Sequence, residues 1–171
     1  PDGYTTLIAA ASFLINPSLI KNLPFDAVKD FTPLGVIVDI PAGLFVHPSL
    51  PVKNVKDLIA LAKKRPGEMN YSSSGRGAVG HLSGALLESA TGINVVHIPY
   101  KSYSALIAGL LGGESHYYFE AGAAVAPHLK SGKLRALAVT SAQPWPLFPG
   151  VPPLAASGVP GYEFTSMDFM L

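Results

Sequence analysis

Asn70-Tyr71-Ser72-Ser73-Ser74-Gly75-Arg76-Gly77-Ala78-Val79-Gly80-His81-Leu82 passes from β-favouring residues through a Ser/Gly turn into an apolar periodicity. Met69 to Ser72 favours a strand, and Val79, Leu82, Leu86 and Leu87 recur at three to four residues, the spacing of a helix. The stretch therefore reads strand, loop, helix. At a helix start the first backbone N–H groups lack intrahelical partners, so their dipoles suit a carboxylate or phosphate. Ser73 and Ser74 offer hydroxyls, while Gly75 and Gly77 omit the Cβ atoms that would hold a ligand off the backbone. The plainer alternative is a serine N-cap followed by a glycine turn.

On the C-terminal side the alternation continues. Asn94–Ile98 reads as a strand, Tyr103–Leu111 as a helix closed by Gly112-Gly113, Ser115–Phe119 as a strand, Ala123–Lys130 as a helix and Leu134–Thr140 as a strand. Short apolar strands alternating with helices imply right-handed crossovers and an α/β fold, a mainly parallel sheet with helices on both faces. Gln143 to Gly161 holds six prolines, which makes it a connector with at most one helical turn near Pro153–Ser157. Tyr162–Met170 returns as a strand.

On the N-terminal side, Asn54 is placed to cap a helix over Val55–Lys64, whose Val55, Leu58, Ile59 and Ala62 form a stripe that Pro66-Gly67 ends. Two β-rich runs, Leu34–Val38 and Gly43–Val46, flank Ile40-Pro41, where the proline argues for a bend or a sheet edge. Leu23 to Pro33 is an irregular connection, Asn16-Pro17-Ser18-Leu19 starts a short helix or turn, Ala10–Ser12 is a loop and Tyr4–Ala9 a buried strand. Pro1-Asp2-Gly3-Tyr4 reads as a turn. With no initiator Met and a final strand lacking a covering helix, the chain is expected to be a cut or processed product.

Composition excludes several function classes. A net charge of +1 with no basic stripe gives no reason to expect nucleic acid. The longest uncharged apolar-rich runs, Leu7–Ile15 and Ala105–Gly113, are far shorter than the ~20 residues of a membrane helix. The absence of cysteine rules out disulfide and thiolate chemistry. The histidines, at 47, 81, 97, 116 and 128, show no metal-binding spacing, and no Gly-x-Ser-x-Gly elbow marks a hydrolase. No metal or cofactor is expected. His81 falls in the first helical turn behind the loop, where it either orients a ligand or bonds to backbone, and His97 reads as structural. Glu120 stands out among the acids, because it follows a strand at the edge where open α/β sheets hold ligands; there it would favour an amino group or a bound water.

Gly75-x-Gly77-x-x-Gly80 also matches the dinucleotide fingerprint between a strand and a helix. The following strand ends in Pro99-Tyr100-Lys101 with no acid for a ribose hydroxyl, although Lys101 suits a 2′-phosphate. An NADP-binding oxidoreductase domain is thus the alternative reading.

Pro1-Asp2-Gly3-Tyr4-Thr5, Asn16-Pro17-Ser18-Leu19, Leu23-Pro24-Phe25-Asp26, Lys29-Asp30-Phe31-Thr32-Pro33, Tyr71-Ser72-Ser73-Ser74-Gly75-x-Gly77, Gly80-His81-Leu82, Val96-His97-Ile98-Pro99-Tyr100-Lys101, Leu110-Leu111-Gly112-Gly113 and Gly132-Lys133-Leu134-Arg135-Ala136-Leu137-Ala138-Val139-Thr140-Ser141 follow one another along the chain. Together they resemble the Bug family, the extracytoplasmic solute-binding receptors of tripartite tricarboxylate transporters. The resemblance implies a type II periplasmic-binding-protein fold, in which two domains close on a small carboxylate without catalysis and deliver it to membrane permease subunits. It further implies a periplasmic location, a monomeric full-length receptor, and a chain holding somewhat over half of that receptor, whose uncovered remnants favour self-association. On this mapping residues 1–33 are a remnant of the first domain, 34–140 a nearly whole second domain and 141–171 a connector and strand returning to the first. Hinge strands would lie near Leu34–Val38 and Leu134–Thr140. The ligand is expected at Ser73, Ser74, Gly75, Arg76, Gly77 and Ala78, with Ser12 on the first domain's cleft side and Ser102 and Glu120 bordering the cleft. Two departures from the family pattern, Ser102-Tyr103 and Glu120-Ala121, point to an altered or lost ligand preference.

Overall fold

The computed structural model describes residues 3–121 and 123–171, so the turn expected at Pro1-Asp2 lies outside the described residues. The chain forms two compact units, Pro41–Phe164 and a smaller one made of Pro1–Ile40 with Thr165–Leu171.

The larger unit is built on five strands. Strand β2 (Gly35–Val46) enters it at Pro41, and β3 (Asn70–Ser73), β4 (Val96–Pro99), β5 (Tyr117–Ala121) and β6 (Arg135–Val139) complete it in the spatial order β4-β3-β5-β2-β6. β3 is parallel to β4 and β5, and β2 is antiparallel to both β5 and β6. Four strands thus point the same way, as the α/β alternation implies, and β2 alone is reversed. Helices α2 (Val55–Lys64), α3 (Val79–Thr91), α4 (Tyr103–Leu111) and α5 (Ala126–Lys130) connect them.

The two-residue period of the strands sends alternate side chains to opposite faces. Leu44, Val46, Tyr117 and Phe119 pack with Val55, Leu58, Ala62 and Leu87 of α2 and α3. Phe45, Tyr118 and Val139 pack with Leu106, Ile107 and Leu110 of α4 on the other side. Helices therefore cover both faces.

Several expectations are corrected. The run interrupted at Pro41 is one continuous strand; pairing with β5 begins only at Ala42 and with β6 at Gly43, so neither of these ladders needs the N–H that proline lacks. The segment after Thr140 belongs to the larger unit up to Phe164: Leu154 donates its amide to Val139 (2.8 Å), Phe164 to Thr140 (3.0 Å), and the Tyr162 hydroxyl to the Ser83 carbonyl (2.8 Å). The division expected at 33/34 and 140/141 accordingly lies at 40/41 and 164/165, and β6 is an internal strand of one unit instead of a hinge. In α3 the buried stripe is Gly80, Ser83, Gly84 and Leu87, while Val79, Leu82 and Leu86 stay half-buried. Glycine brings this helix close to the sheet. A Cβ at Gly84 would stand 2.2 Å from the Tyr71 ring, and one at Gly80 3.0 Å from the Phe119 carbonyl oxygen.

In the smaller unit β1 (Ile8–Ala10) pairs antiparallel with β7 (Thr165–Met170), which neighbours β2. The strand expected over Tyr4–Ala9 is thus shorter and shifted. Helix α1 (Ala11–Leu19) begins where a loop was expected, and Asn16-Pro17 lies near its end instead of its start. Phe13 contacts Phe25, Phe31 and Phe169 in an aromatic cluster.

Candidate functional site

Parallel pairing decides which residues meet. Ser73 lies opposite Pro99, and Ser72 opposite Tyr118, so the C-terminal ends of β3, β4 and β5 lie side by side in the larger unit. From this edge emerge the Ser74–Ala78 loop, the turn carrying Ser102, and Glu120, which is level with Ser74 by continuation of the β3–β5 register. Ser12 lies in α1 of the other unit, as a helical residue and not a loop residue.

The loop is a strand-to-helix turn of alternating character. Gly75 (φ 131°) and Gly77 (φ 81°) adopt backbone conformations closed to most side chains, which explains why the sequence has glycine at both positions. Their amides are tied back: Gly75 N–H donates to Ser73 Oγ (3.1 Å) and Gly77 N–H to His81 Nδ1 (3.1 Å). Ala78 N–H donates to the Gly75 carbonyl (3.3 Å). The amides of Ser74, Arg76, Val79 and Gly80 donate to no protein acceptor among the described residues. Ser74 and Arg76 are exposed, Gly75 and Ala78 half-buried and Gly77 buried. Free amides at the start of a thirteen-residue helix, beside a guanidinium, form a positive end.

Ser73 departs from expectation. It is fully buried, and its hydroxyl donates to the Gly75 carbonyl (2.9 Å) while touching His97 Nε2 (2.6 Å). Ser73 therefore shapes the loop from within. Ser102 caps α4, its Oγ accepting the Ala105 amide (3.2 Å). Glu120 is half-buried, opposite Gly43 of β2; burial, then the nearby charge of Glu120, raise the Tyr103 phenol at the start of α4.

Behind the loop, His81 bonds to backbone, one of the two roles its sequence position left open, but the row of rings it joins was not expected. The rings of Tyr117, Tyr71, His97 and His81 form a continuous row, with centroids 5.3, 5.0 and 4.4 Å apart, the first three stacked and His81 tilted on the end, running from the core of β5 across β3 and β4 to α3. Burial, then His81 and Arg76, push His97 down to about 4, and burial, then Arg76, lower His81. Both imidazoles are thus neutral near pH 7. The signal was the pairing of Tyr71 with His97, which only the β3–β4 register reveals. His47 and His116 bond elsewhere, to Ser49 and Asn70, and among the described residues no group of three or more His, Asp or Glu could hold a metal.

The family model described as the tripartite tricarboxylate transporter family receptor matches residues 1–171. The chain belongs to this receptor family. Protein BugT of Bordetella pertussis is 35% identical over 163 residues, covering 94% of this chain and 50% of that protein. Among solved structures, R. palustris Rpa4515 with adipate superposes with a TM-score of 0.90 at 38% identity, over 99% of this chain and 57% of that one. The periplasmic binding protein BugD gives 0.88 at 34% identity, over 99% and 57%. The receptor-family chain described here spans about half the length of the curated relatives it matches. Its fold is the periplasmic-binding-protein-like α/β class that the sequence resemblance implied. In that frame the Gly75-x-Gly77-x-x-Gly80 pattern has a packing explanation, since Gly80 lets α3 approach Phe119 and Ser73. No helix among the described residues is long and apolar enough to cross a membrane.

Proposed function

We propose that this chain carries the anion-gripping half of a periplasmic receptor that binds a small carboxylate, without catalysis, and passes it to membrane permease subunits. The reading rests on one observation: the unbonded amides of Ser74, Arg76, Val79 and Gly80, collected at the helix start beside the exposed Arg76. Charge-assisted hydrogen bonds from such amides to a carboxylate are shorter and stronger than neutral ones, and a helix N-terminus adds its dipole. Likeness to the adipate-bound protein supports a dicarboxylate as the ligand class. Ser74 would add its hydroxyl, Gly75, Gly77 and Ala78 would shape the backbone seat, and Ser102 and Glu120 would border it. Any hinge would lie where the chain passes between units, at Ile40–Pro41 and Phe164–Thr165, because β6 is internal. A carboxylate held from one side stays hydrated on the other, so this chain should bind weakly, with a Kd above about 0.1 mM, or less than ~5.5 kcal/mol of binding free energy.

Adipate at millimolar concentrations is expected to shift the backbone amide resonances of Ser74–Gly80 in nuclear magnetic resonance titration. A response confined to other residues, or none, refutes the reading. Sub-micromolar affinity by calorimetry would refute the need for a second gripping surface.

A further inference from the structure

Ser73 Oγ uses its whole hydrogen-bonding capacity inside the protein. Its one proton goes to the Gly75 carbonyl (2.9 Å) and one lone pair takes the Gly75 amide (3.1 Å). With the proton so placed, the contact to His97 Nε2 (2.6 Å) uses the other lone pair, which assigns His97 the Nε2–H tautomer. His81 is fixed in the same way: Nδ1 accepts from Gly77 N–H (3.1 Å), so its proton too sits on Nε2. The two rings are tilted by 31° with centroids 4.4 Å apart, and His97 stacks in turn on Tyr71. The inward amides, Gly75 and Gly77, alternate with the unbonded ones, Ser74 and Arg76.

We propose that His81 and His97 are the positioning residues of the carboxylate loop: by holding the Gly77 amide and the Ser73 hydroxyl from behind, they determine which amides face a ligand. This rests on the carboxylate reading above. The arrangement requires a neutral His81, because protonating Nδ1 would set an N–H against the N–H of Gly77. His97 already donates through Nε2, so its protonation adds charge without breaking the Ser73 contact. The surroundings keep both rings neutral. Burial disfavours the imidazolium in both, His81 then Arg76 add to this at His97 and Arg76 at His81, and Tyr71 from β3 stacks on His97. Glu88 of α3 acts on the Tyr71 phenol.

Two substitutions at one position separate positioning from mere packing. His81→Asn keeps an acceptor near the Nδ1 position without a titrating group, and His81→Leu keeps bulk without an acceptor. His81→Leu should weaken adipate binding about tenfold or more and speed hydrogen exchange of the Gly77 amide by a similar factor, whereas His81→Asn should stay within about threefold of the wild type in both. Adipate binding that His81→Leu leaves unchanged, or a loss in His81→Asn as large as in His81→Leu, overturns the positioning role. No adipate response at Ser74–Gly80 in the wild type defeats the carboxylate reading itself, and the Gly77 exchange rates then decide separately whether His81 holds the loop.

Discussion

The two units bury their apolar side chains very differently. In Pro41–Phe164, Leu44, Phe45, Leu58, Leu87, Leu106 and Leu110 are all fully inaccessible, because helices cover both faces of a five-stranded sheet. In the unit of Pro1–Ile40 with Thr165–Leu171, Ile8, Val28 and Val36 are 65%, 78% and 63% exposed, and the single α-helix buries no residue completely. An apolar cavity of about 350 Å³, lined by Leu14, Val28, Phe31, Val36 and Phe169 among others, opens on this smaller unit. The larger unit is therefore held by its own core. The smaller one depends on an aromatic cluster around Phe13 and on three short strand segments.

The sharpest way to break this comparison is a matched pair of truncations. Leu87→Ala removes a fully buried side chain between α3 and the sheet and should cost about 3–5 kcal/mol, whereas Val36→Ala should change stability by about 0.5 kcal/mol or less. Denaturant unfolding with native-state hydrogen exchange resolves the two units. Equal losses for the two variants would mean that the smaller unit has a core of its own.

Local signals account for what the sequence revealed of the larger unit. The bounds of α2 and α4 agree with the sequence reading because Asn54 and Ser102 cap them, Pro66-Gly67 lies just past the Arg65 C-cap of α2, and Gly112-Gly113 follows α4. Long-range packing hid the rest. The continuity of β2 through Pro41 depends on which partners start where, and the glycine-rich face of α3 depends on the Tyr71 ring lying beneath it. At the site, the loop and its glycines were legible, but the inward turn of Ser73 was not, since His97 comes from a strand 24 residues away. The smaller unit was least legible: the N-cap position holds Ala10, which has no capping side chain, and Pro17 falls inside the helix, so α1 has neither a start signal nor an uninterrupted pattern.

A second contrast follows from the row of rings behind the loop, which exists only in the larger unit. His97 titrates near 6.5 when unfolded and at about 4 when folded, so the unfolded chain takes up its proton first as pH falls. The stabilising contribution is thus complete above pH 6.5 and is lost on acidification towards 4. The loss should reach roughly 2 kcal/mol after allowance for solvent around a partly exposed ring. His97→Gln keeps a donor for Ser73 and should remove this part of the acid sensitivity. An unchanged slope of stability against pH between 6.5 and 4 would show that the row does not hold His97 neutral.

The smallest effects concern helix caps, and they sharpen the comparison because they act in opposite directions in the two units. Asn54 Oδ1 accepts the Asp57 amide (2.9 Å), and Asp57 Oδ2 in return accepts the amide of Lys53 (2.9 Å), so both residues that enter α2 are tied down. Asn54→Ala should cost about 1 kcal/mol, read by urea unfolding of the larger unit. Ala10 occupies the equivalent position before α1, with extended backbone (φ −84°, ψ 167°) and no side chain to accept the amides it faces. Ala10→Ser should therefore stabilise the smaller unit by about 0.5 kcal/mol, seen as slower amide exchange in α1. If both substitutions left their helices unchanged, neither cap would limit its unit, and the difference between the units would rest on core burial alone.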